Sequence, residues 1–86
     1  MRIEFIHVGF NNVINAMRVV AIVDPSSAPV KRMIREATSR GMVIDMTKGR
    51  KTKSVIVLDS GHIALVALQP ETITGRLGNQ LTSTGD

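Results

Sequence analysis

The chain contains 86 residues, with a formal net charge of +4, 43% hydrophobic residues and no cysteine. This length allows one domain, and the lack of cysteine excludes disulfides, thiolate metal sites and cysteine nucleophiles. The aromatic residues are two phenylalanines, which argues against modules that stack single-stranded bases on aromatic rings.

The first half of the sequence predicts two strands and one helix. Residues 3–8 and 17–23 are short apolar runs typical of strands, with turn-forming residues between them. Residues 29–40 carry apolar side chains at the spacing of one helix face, and Gly41 follows as a left-handed cap. The apolar face of this helix consists of Val30, Met33, Ile34 and Ala37.

The second half predicts a strand, a polar loop, a hairpin and a short helix, in that order. Residues 42–46 are typical of a strand, and residues 47–53 of an exposed loop. Strands at 54–58 and 62–68 are joined by a three-residue turn that ends in glycine, a common hairpin form. A short helical turn is predicted at 70–77.

The two hairpin strands are apolar at almost every position, so we expect both faces of their sheet to be covered. One amphipathic helix covers one face, and we expect another subunit to cover the second. The small size of the chain also favours a homo-oligomer. We predict an α+β fold with a small, largely antiparallel sheet, one main amphipathic helix and a short C-terminal helix. The single domain should span 1–78, followed by a flexible polar tail at 79–86.

The sequence lacks the features of membrane and secreted proteins. Its apolar runs stay well below the roughly 18 residues that a membrane span needs, and its first residues lack the layout of a signal peptide. We therefore expect a soluble cytoplasmic protein that does not contact a membrane.

Catalytic and metal-binding patterns are weak. His7 and His62 have no nucleophile, acid or second ligand at a recognisable spacing. The residues around Gly49 do not complete a phosphate-binding loop of the nucleotide-binding type, because Arg50 interrupts the pattern. We expect no enzyme activity, no cofactor, no metal and no small-molecule substrate.

Positive charge is concentrated in one part of the chain. Residues 30–53 contain eight lysines and arginines against two acidic residues, a net +6, whereas the rest contains three basic residues against five acidic ones, a net −2. A basic patch on a faintly acidic body predicts a polyanionic partner that is held in one orientation.

The loop at 47–53 is the densest part of this patch. Gly49 allows a phosphate to approach the backbone closely, and Thr52 adds a neutral hydrogen-bonding group. The cations of the loop are Lys48, Arg50, Lys51 and Lys53. The preceding helix adds Lys31, Arg32, Arg35 and Arg40 outside its apolar face. Taken alone, a charge run of this kind is as often a solvated loop as a binding site.

Four segments resemble one known family when they are taken together and in order. They are SSAPVKRMIREA at 26–37, RGMVID at 40–45, GRKT at 49–52 and LQPETI at 68–73. They are similar to segments of the RemA-like regulators of extracellular-matrix genes in bacteria. The resemblance implies a DNA-binding transcriptional regulator of biofilm matrix genes. It also implies a ring-shaped homo-oligomer with double-stranded DNA along its outer rim.

The resemblance also implies particular DNA contacts. The family's DNA-contacting arginines fall on Arg18 and on the basic pair Arg50 and Lys51. The family commonly has arginine at this second position of the pair. Lys51 keeps the positive charge but lacks the two parallel N–H donors of an arginine. Lys48 replaces what is often an aromatic residue, and Asn11 stands where glycine is usual. The predicted DNA-binding residues are Arg18, Arg32, Arg35, Lys48, Arg50, Lys51 and Lys53.

Other interpretations of the same residues are open at this point. The patch could serve a scaffold that docks an acidic protein partner, or it could bind duplex RNA. Arg18 alone could be a strand-edge residue whose stem packs while its head reaches water.

Overall fold

A computed structural model describes residues 3–81, which form six strands, two α-helices and one 3₁₀ turn at Ala16–Arg18. In chain order the elements are β1 Phe5–Gly9, β2 Asn12–Asn15, β3 Val19–Val23, α1 Ala28–Ser39, β4 Val43–Asp45, β5 Ser54–Leu58, β6 Ile63–Val66 and α2 Pro70–Leu81. The predicted α+β class is confirmed.

The strands form two sheets instead of one. The larger sheet has the order β3-β5-β6-β4, with antiparallel pairs except for the parallel pair β4 and β6. Strands β1 and β2 form a separate antiparallel hairpin. The parallel pair arises because α1 carries the chain from one edge of the sheet, β3, to the opposite edge, where β4 begins.

Helix α1 matches the prediction closely. The Ser27 hydroxyl accepts a hydrogen bond from the backbone N–H of Val30 at 3.4 Å, which caps the first turn. At the other end Gly41 has a φ of 70°, and the N–H of Met42 donates to the Ala37 carbonyl at 2.9 Å. This is the hydrogen-bonded glycine cap that the sequence predicted.

The two faces of the large sheet are both covered by this one chain. Alternate side chains of β5 and β6 point to opposite faces, so Val55 and Ile63 pack against α1. On the other face, Ile56 and Val66 pack against the β1–β2 hairpin and α2. The expectation that another subunit covers the second face is therefore wrong. The hairpin and α2 contribute the covering side chains Ile6, Val8, Ile14 and Ile73.

The segment before β3 also differs from the predicted strand at 17–23. The Asn15 carboxamide oxygen accepts hydrogen bonds from the backbone N–H of Met17 at 3.0 Å and of Glu4 at 3.4 Å. This side chain caps a 3₁₀ turn and fastens it to the start of β1, so β3 begins only at Val19.

Helix α2 is longer than the predicted helical turn. It continues through Gly78 to Leu81, so residues 79–81 of the expected tail are helical, and the remainder lies outside the described residues. Ile73 is fully buried and Leu77 packs against the same core, which supports the helix where glycine disfavours it. Within residues 3–81, neither helix has the length and apolar character of a bilayer-spanning segment.

The intrachain cover can be tested at Ile73, which is 0% exposed on α2. We expect Ile73→Ala to lower the free energy of unfolding by about 2–5 kcal/mol, because it leaves a cavity beneath the helix. Its exposed neighbour Thr72 is the control, and Thr72→Ala should stay within about 0.5 kcal/mol of the parent protein. Chemical denaturation measures both. Equal effects from the two substitutions would show that α2 does not cover the core.

Candidate functional site

The loop between β4 and β5 is fixed at its first residue. The Asp45 carboxylate accepts hydrogen bonds from the Thr47 hydroxyl at 2.6 Å and from the Thr47 N–H at 2.9 Å. These two bonds, the hydroxyl first, lower the pKa of Asp45 below its ordinary value. Thr47 itself is only 3% exposed. The loop therefore leaves β4 from a buried and hydrogen-bonded position.

The loop is also fixed where it enters β5. The N–H of Lys53 donates to the Val66 carbonyl at 2.9 Å, and the hydroxyl of Ser54, which is fully buried, donates to the Leu68 carbonyl at 2.6 Å. Within the loop, Lys48 and Gly49 have φ values of 53° and 80°. These left-handed residues form the tight bend of the loop.

All four cations of the loop are exposed, as predicted: Lys48, Arg50, Lys51 and Lys53. Among residues 3–81, no other group lies within 4 Å of the position where Gly49 would carry a side chain, so this side of the loop is open. The segment contains no acidic residue after Asp45, and its positive charge is therefore uncompensated locally. This arrangement is suited to anionic oxygens, which accept from lysine, arginine and backbone N–H groups.

Two hollows flank the loop. One, of about 390 Å³, lies between Arg50, Lys51, Lys53 and the ring of Phe10 in the β1–β2 turn. The other, of about 470 Å³, lies toward the start of α1 and contains Lys31 together with Lys51 and Lys53. Arg50, Lys51 and Lys53 thus line one or both of two adjoining concave surfaces, whereas Lys48 lines neither.

A carboxylate reduces the positive charge that lines the second hollow. Asp24 lines it, and Ser26 lowers the pKa of this carboxyl group, mainly through a side-chain hydrogen bond and also through its backbone N–H, at 2.7 Å. Asp24 therefore stays ionised beside the lysines. Among the residues that the structure describes, none that lines the first hollow is acidic, so this hollow has the stronger attraction for anions.

The arginines of α1 lie outside the two hollows that flank the loop. Arg32 and Arg35 are exposed on α1, as expected for its polar face, but they line neither hollow. Lys31, on the first turn of the same helix, is the α1 residue that the structure brings beside the loop cations.

Arg18 lies at the opposite end of β5 from the loop. Its Nε donates to the Asp59 carboxylate at 2.6 Å, and the Asp59 N–H donates to the Arg18 carbonyl at 2.9 Å. The five residues of β5 separate the two regions by about 17 Å. One subunit therefore does not bring Arg18 together with Arg50 and Lys51.

An apolar groove adjoins Arg18. It has a volume of about 320 Å³, and its lining includes Val13 of β2 and Ile44 of β4, which are 43% and 38% exposed. On the far edge of the sheet, Val20 of β3 is 65% exposed. Val20 and Ile44 belong to segments that were predicted as ordinary strands, whereas Val13 lies in β2, a strand that was not predicted because residues 9–16 were interpreted as a turn region.

Sequence reasoning also missed two partners of the predicted arginines. The Arg50 guanidinium carbon lies 6.0 Å from the centroid of the Phe10 ring, within the range of a cation–π contact. Asp59, the ion-pair partner of Arg18, was assigned only to a turn. Both contacts join residues that are about 40 positions apart, so no local pattern indicates them.

The histidines and carboxylates do not form a metal site in the part of the chain that the structure describes. His62 lies at the β5–β6 turn, where its Nδ1 and the Ser60 hydroxyl are 2.8 Å apart. The backbone carbonyl of His7 accepts a hydrogen bond from Arg76 at 2.6 Å.

Comparison with known proteins agrees with the resemblance of the sequence motifs. The model of the RemA-like family, described as "Extracellular matrix regulatory protein A-like", matches residues 5–77. A relative from Dehalococcoides mccartyi is 62% identical over 77 residues, which cover 90% of this chain and 80% of the relative. Another, from Alkaliphilus metalliredigens, is 56% identical over 80 residues, which cover 93% and 86%.

A third relative, from Thermoanaerobacter sp., is 57% identical over 79 residues, which cover 92% of this chain and 82% of its own. All three are named as proposed regulatory proteins. The family match spans most of the chain, and the sequence identity is high over the same region. The chain belongs to the RemA-like family.

Proposed function

We propose that this protein is a transcriptional regulator that binds duplex DNA through the loop between β4 and β5. The observation that carries the proposal is a cluster of four exposed cations on a loop that buried side chains fix at both ends. Family membership and the names of the relatives support a regulatory role. In keeping with the family, we propose biofilm matrix genes as its targets and the cytoplasm as its location.

The chemistry of the loop favours nucleic acid over an acidic protein. Protein interfaces have an apolar centre surrounded by polar groups, whereas DNA interfaces are polar and strongly positive. Residues 47–53 contain lysine, arginine, threonine and glycine alone. A fixed loop of this composition binds phosphate oxygens without first ordering its own backbone.

We propose further that several subunits act together as a ring. Arg18 and the loop lie at opposite ends of β5. One DNA segment can therefore contact both Arg18 and the loop more readily when several subunits lie along it. The sheet edges differ: Val20 is exposed on β3, and Ile44 on β4. Contact between two unlike edges is head-to-tail, and such contacts form a ring when the rotation between subunits closes.

The ring would supply affinity by repetition. Each subunit offers a few phosphate contacts, and each additional engaged subunit binds DNA that is already held nearby. Duplex RNA and an acidic protein partner are the competing ligands. Duplex RNA is compared directly with duplex DNA in the gel shifts below, and the lack of apolar residues in the loop argues against the protein partner.

The first test is the mass of the assembly. We expect light scattering at micromolar concentration to give a mass well above that of two 9.3 kDa chains. Val20→Asp should lower this mass, because it places a charge on the exposed edge strand, whereas Thr72→Asp on the exposed face of α2 should not. A uniform monomer of the parent protein would rule out the ring.

The second test removes the two loop residues that the family resemblance singles out. We expect Arg50→Ala with Lys51→Ala to weaken duplex DNA binding by about tenfold or more without changing assembly mass, because charge-assisted hydrogen bonds are lost. Arg32→Ala with Arg35→Ala removes the same charge from α1 and should weaken binding less. Gel shifts at one fixed salt concentration compare both pairs.

The same gel shifts include single-stranded DNA and duplex RNA as competitors. Stronger competition by duplex RNA than by duplex DNA would mean that the loop is an RNA-binding site. Equal losses from the loop pair and the helix pair would mean that net charge, and not the loop, determines binding.

The third test asks whether several subunits share one duplex. Affinity should fall with salt at a log–log slope of about −0.9 per neutralised phosphate. Arg18→Ala should reduce that slope by roughly the number of engaged subunits, since the same contact is lost in each of them. An unchanged slope in an intact assembly would remove Arg18 from the DNA interface. A reduction of about one unit would mean that a single subunit contacts the duplex.

A further inference from the structure

The β1–β2 turn contains an unusual residue for its geometry. Gly9 pairs with Asn12 across the turn, and the two residues between them, Phe10 and Asn11, have φ values of 53° and 65°. Two left-handed central residues define the hairpin turn in which asparagine, aspartate and glycine are preferred. A phenylalanine in the left-handed region is strained, and such residues persist where function or surrounding contacts require them.

Core packing does not account for Phe10. The side chain is 42% exposed and is absent from both buried clusters of the structure, although Gly9 beside it approaches Leu68. Its identified polar neighbour is Arg50, whose guanidinium carbon lies 6.0 Å from the ring centroid. The strained aromatic side chain therefore faces the basic loop.

The turn and the loop are also connected through Asn12. Its carboxamide N–H group donates to the Gly9 carbonyl at 3.0 Å and to the Met46 carbonyl at 3.4 Å. Met46 directly precedes Thr47, where the loop is fixed. These bonds hold the turn in a set position relative to the start of the loop.

Arg50 differs from the other arginines that have tertiary contacts. Arg18 is paired with the Asp59 carboxylate, and Arg76 donates to the His7 carbonyl. Within residues 3–81, the Arg50 side chain has neither an ion pair nor a hydrogen bond, and it contacts the face of an aromatic ring instead. A ring face attracts the charge of the guanidinium without occupying its N–H donors with an oxygen acceptor.

We propose that Phe10 is a positioning residue for Arg50 in DNA binding. Its ring restricts the long arginine side chain to one region before DNA arrives and leaves the N–H donors free for a phosphate or base edge. Less side-chain freedom is then lost on binding, which increases affinity. This proposal rests on the proposed DNA-binding function, and it explains why a strained phenylalanine occupies a turn position that asparagine would fit better.

The test separates aromatic positioning from folding. Phe10→Asn suits the left-handed turn, so we expect it to melt at the same temperature as the parent or higher, and yet to bind duplex DNA more weakly. Phe10→Leu keeps an apolar side chain without the ring and should also bind more weakly, by about two- to fivefold per engaged subunit. Phe10→Tyr keeps the ring and should bind like the parent protein.

A double-mutant cycle assigns the effect to Arg50. In the Arg50→Ala background, Phe10→Leu should cause no further loss of affinity, since the residue that it positions is absent. A full further loss in that background would mean that Phe10 contacts DNA by itself, and parent-like binding by Phe10→Leu would mean that the ring has no role. Light scattering on each variant verifies that the assembly is intact.

NMR on the free protein tests the contact between Phe10 and Arg50 independently of DNA. The Phe10 ring should shift the NMR resonances of the Arg50 side chain, and this shift should be lost in Phe10→Leu and kept in Phe10→Tyr. If the parent protein does not bind duplex DNA, the proposed function fails, and the resonances still show whether Phe10 positions Arg50. Unshifted Arg50 resonances in the parent would overturn the positioning role even if DNA binding is strong.

Discussion

Burial of the β5–β6 hairpin on both faces is the constraint on which the other features depend. Its alternate side chains fill two separate apolar clusters, one beneath α1 and one beneath the β1–β2 hairpin and α2. Because both faces are occupied, the polar segments of the chain are left at the ends of the strands. The basic loop lies at one end of β5, and Arg18 with Asp59 lies at the other.

Local patterns in the sequence were sufficient for α1, for β5 and for the polar loop, since caps, periodicity and turn residues act over a few positions. They were insufficient for the cover of the second sheet face. That cover involves Asn15, whose side chain caps the 3₁₀ turn after β2 and accepts a hydrogen bond from the residue before β1. It also involves Ile73, whose burial supports a glycine-containing helix. These effects are tertiary, and propensity does not predict them.

Local sequence patterns likewise identify only part of the candidate site. The loop cations could be identified from their spacing, and the structure exposes all of them. Their surroundings could not be identified, because Phe10 and Asp59 meet their arginines across about 40 residues of chain. The two arginines have different neighbours: Arg18 is paired with a carboxylate, whereas Arg50 lies beside an aromatic ring.

The burial of Thr47 and Ser54 at the two ends of the loop has an evolutionary consequence. Substitutions between these residues change surface charge and hydrogen-bonding groups while the core stays intact, and exposed changes of this kind alter stability little. Lys48 and Gly49 are constrained by their left-handed backbone and Thr52 is partly buried, so the exposed positions that can vary without strain are 50, 51 and 53. Three side chains can therefore change the charge and hydrogen-bonding groups of this surface while the scaffold stays the same.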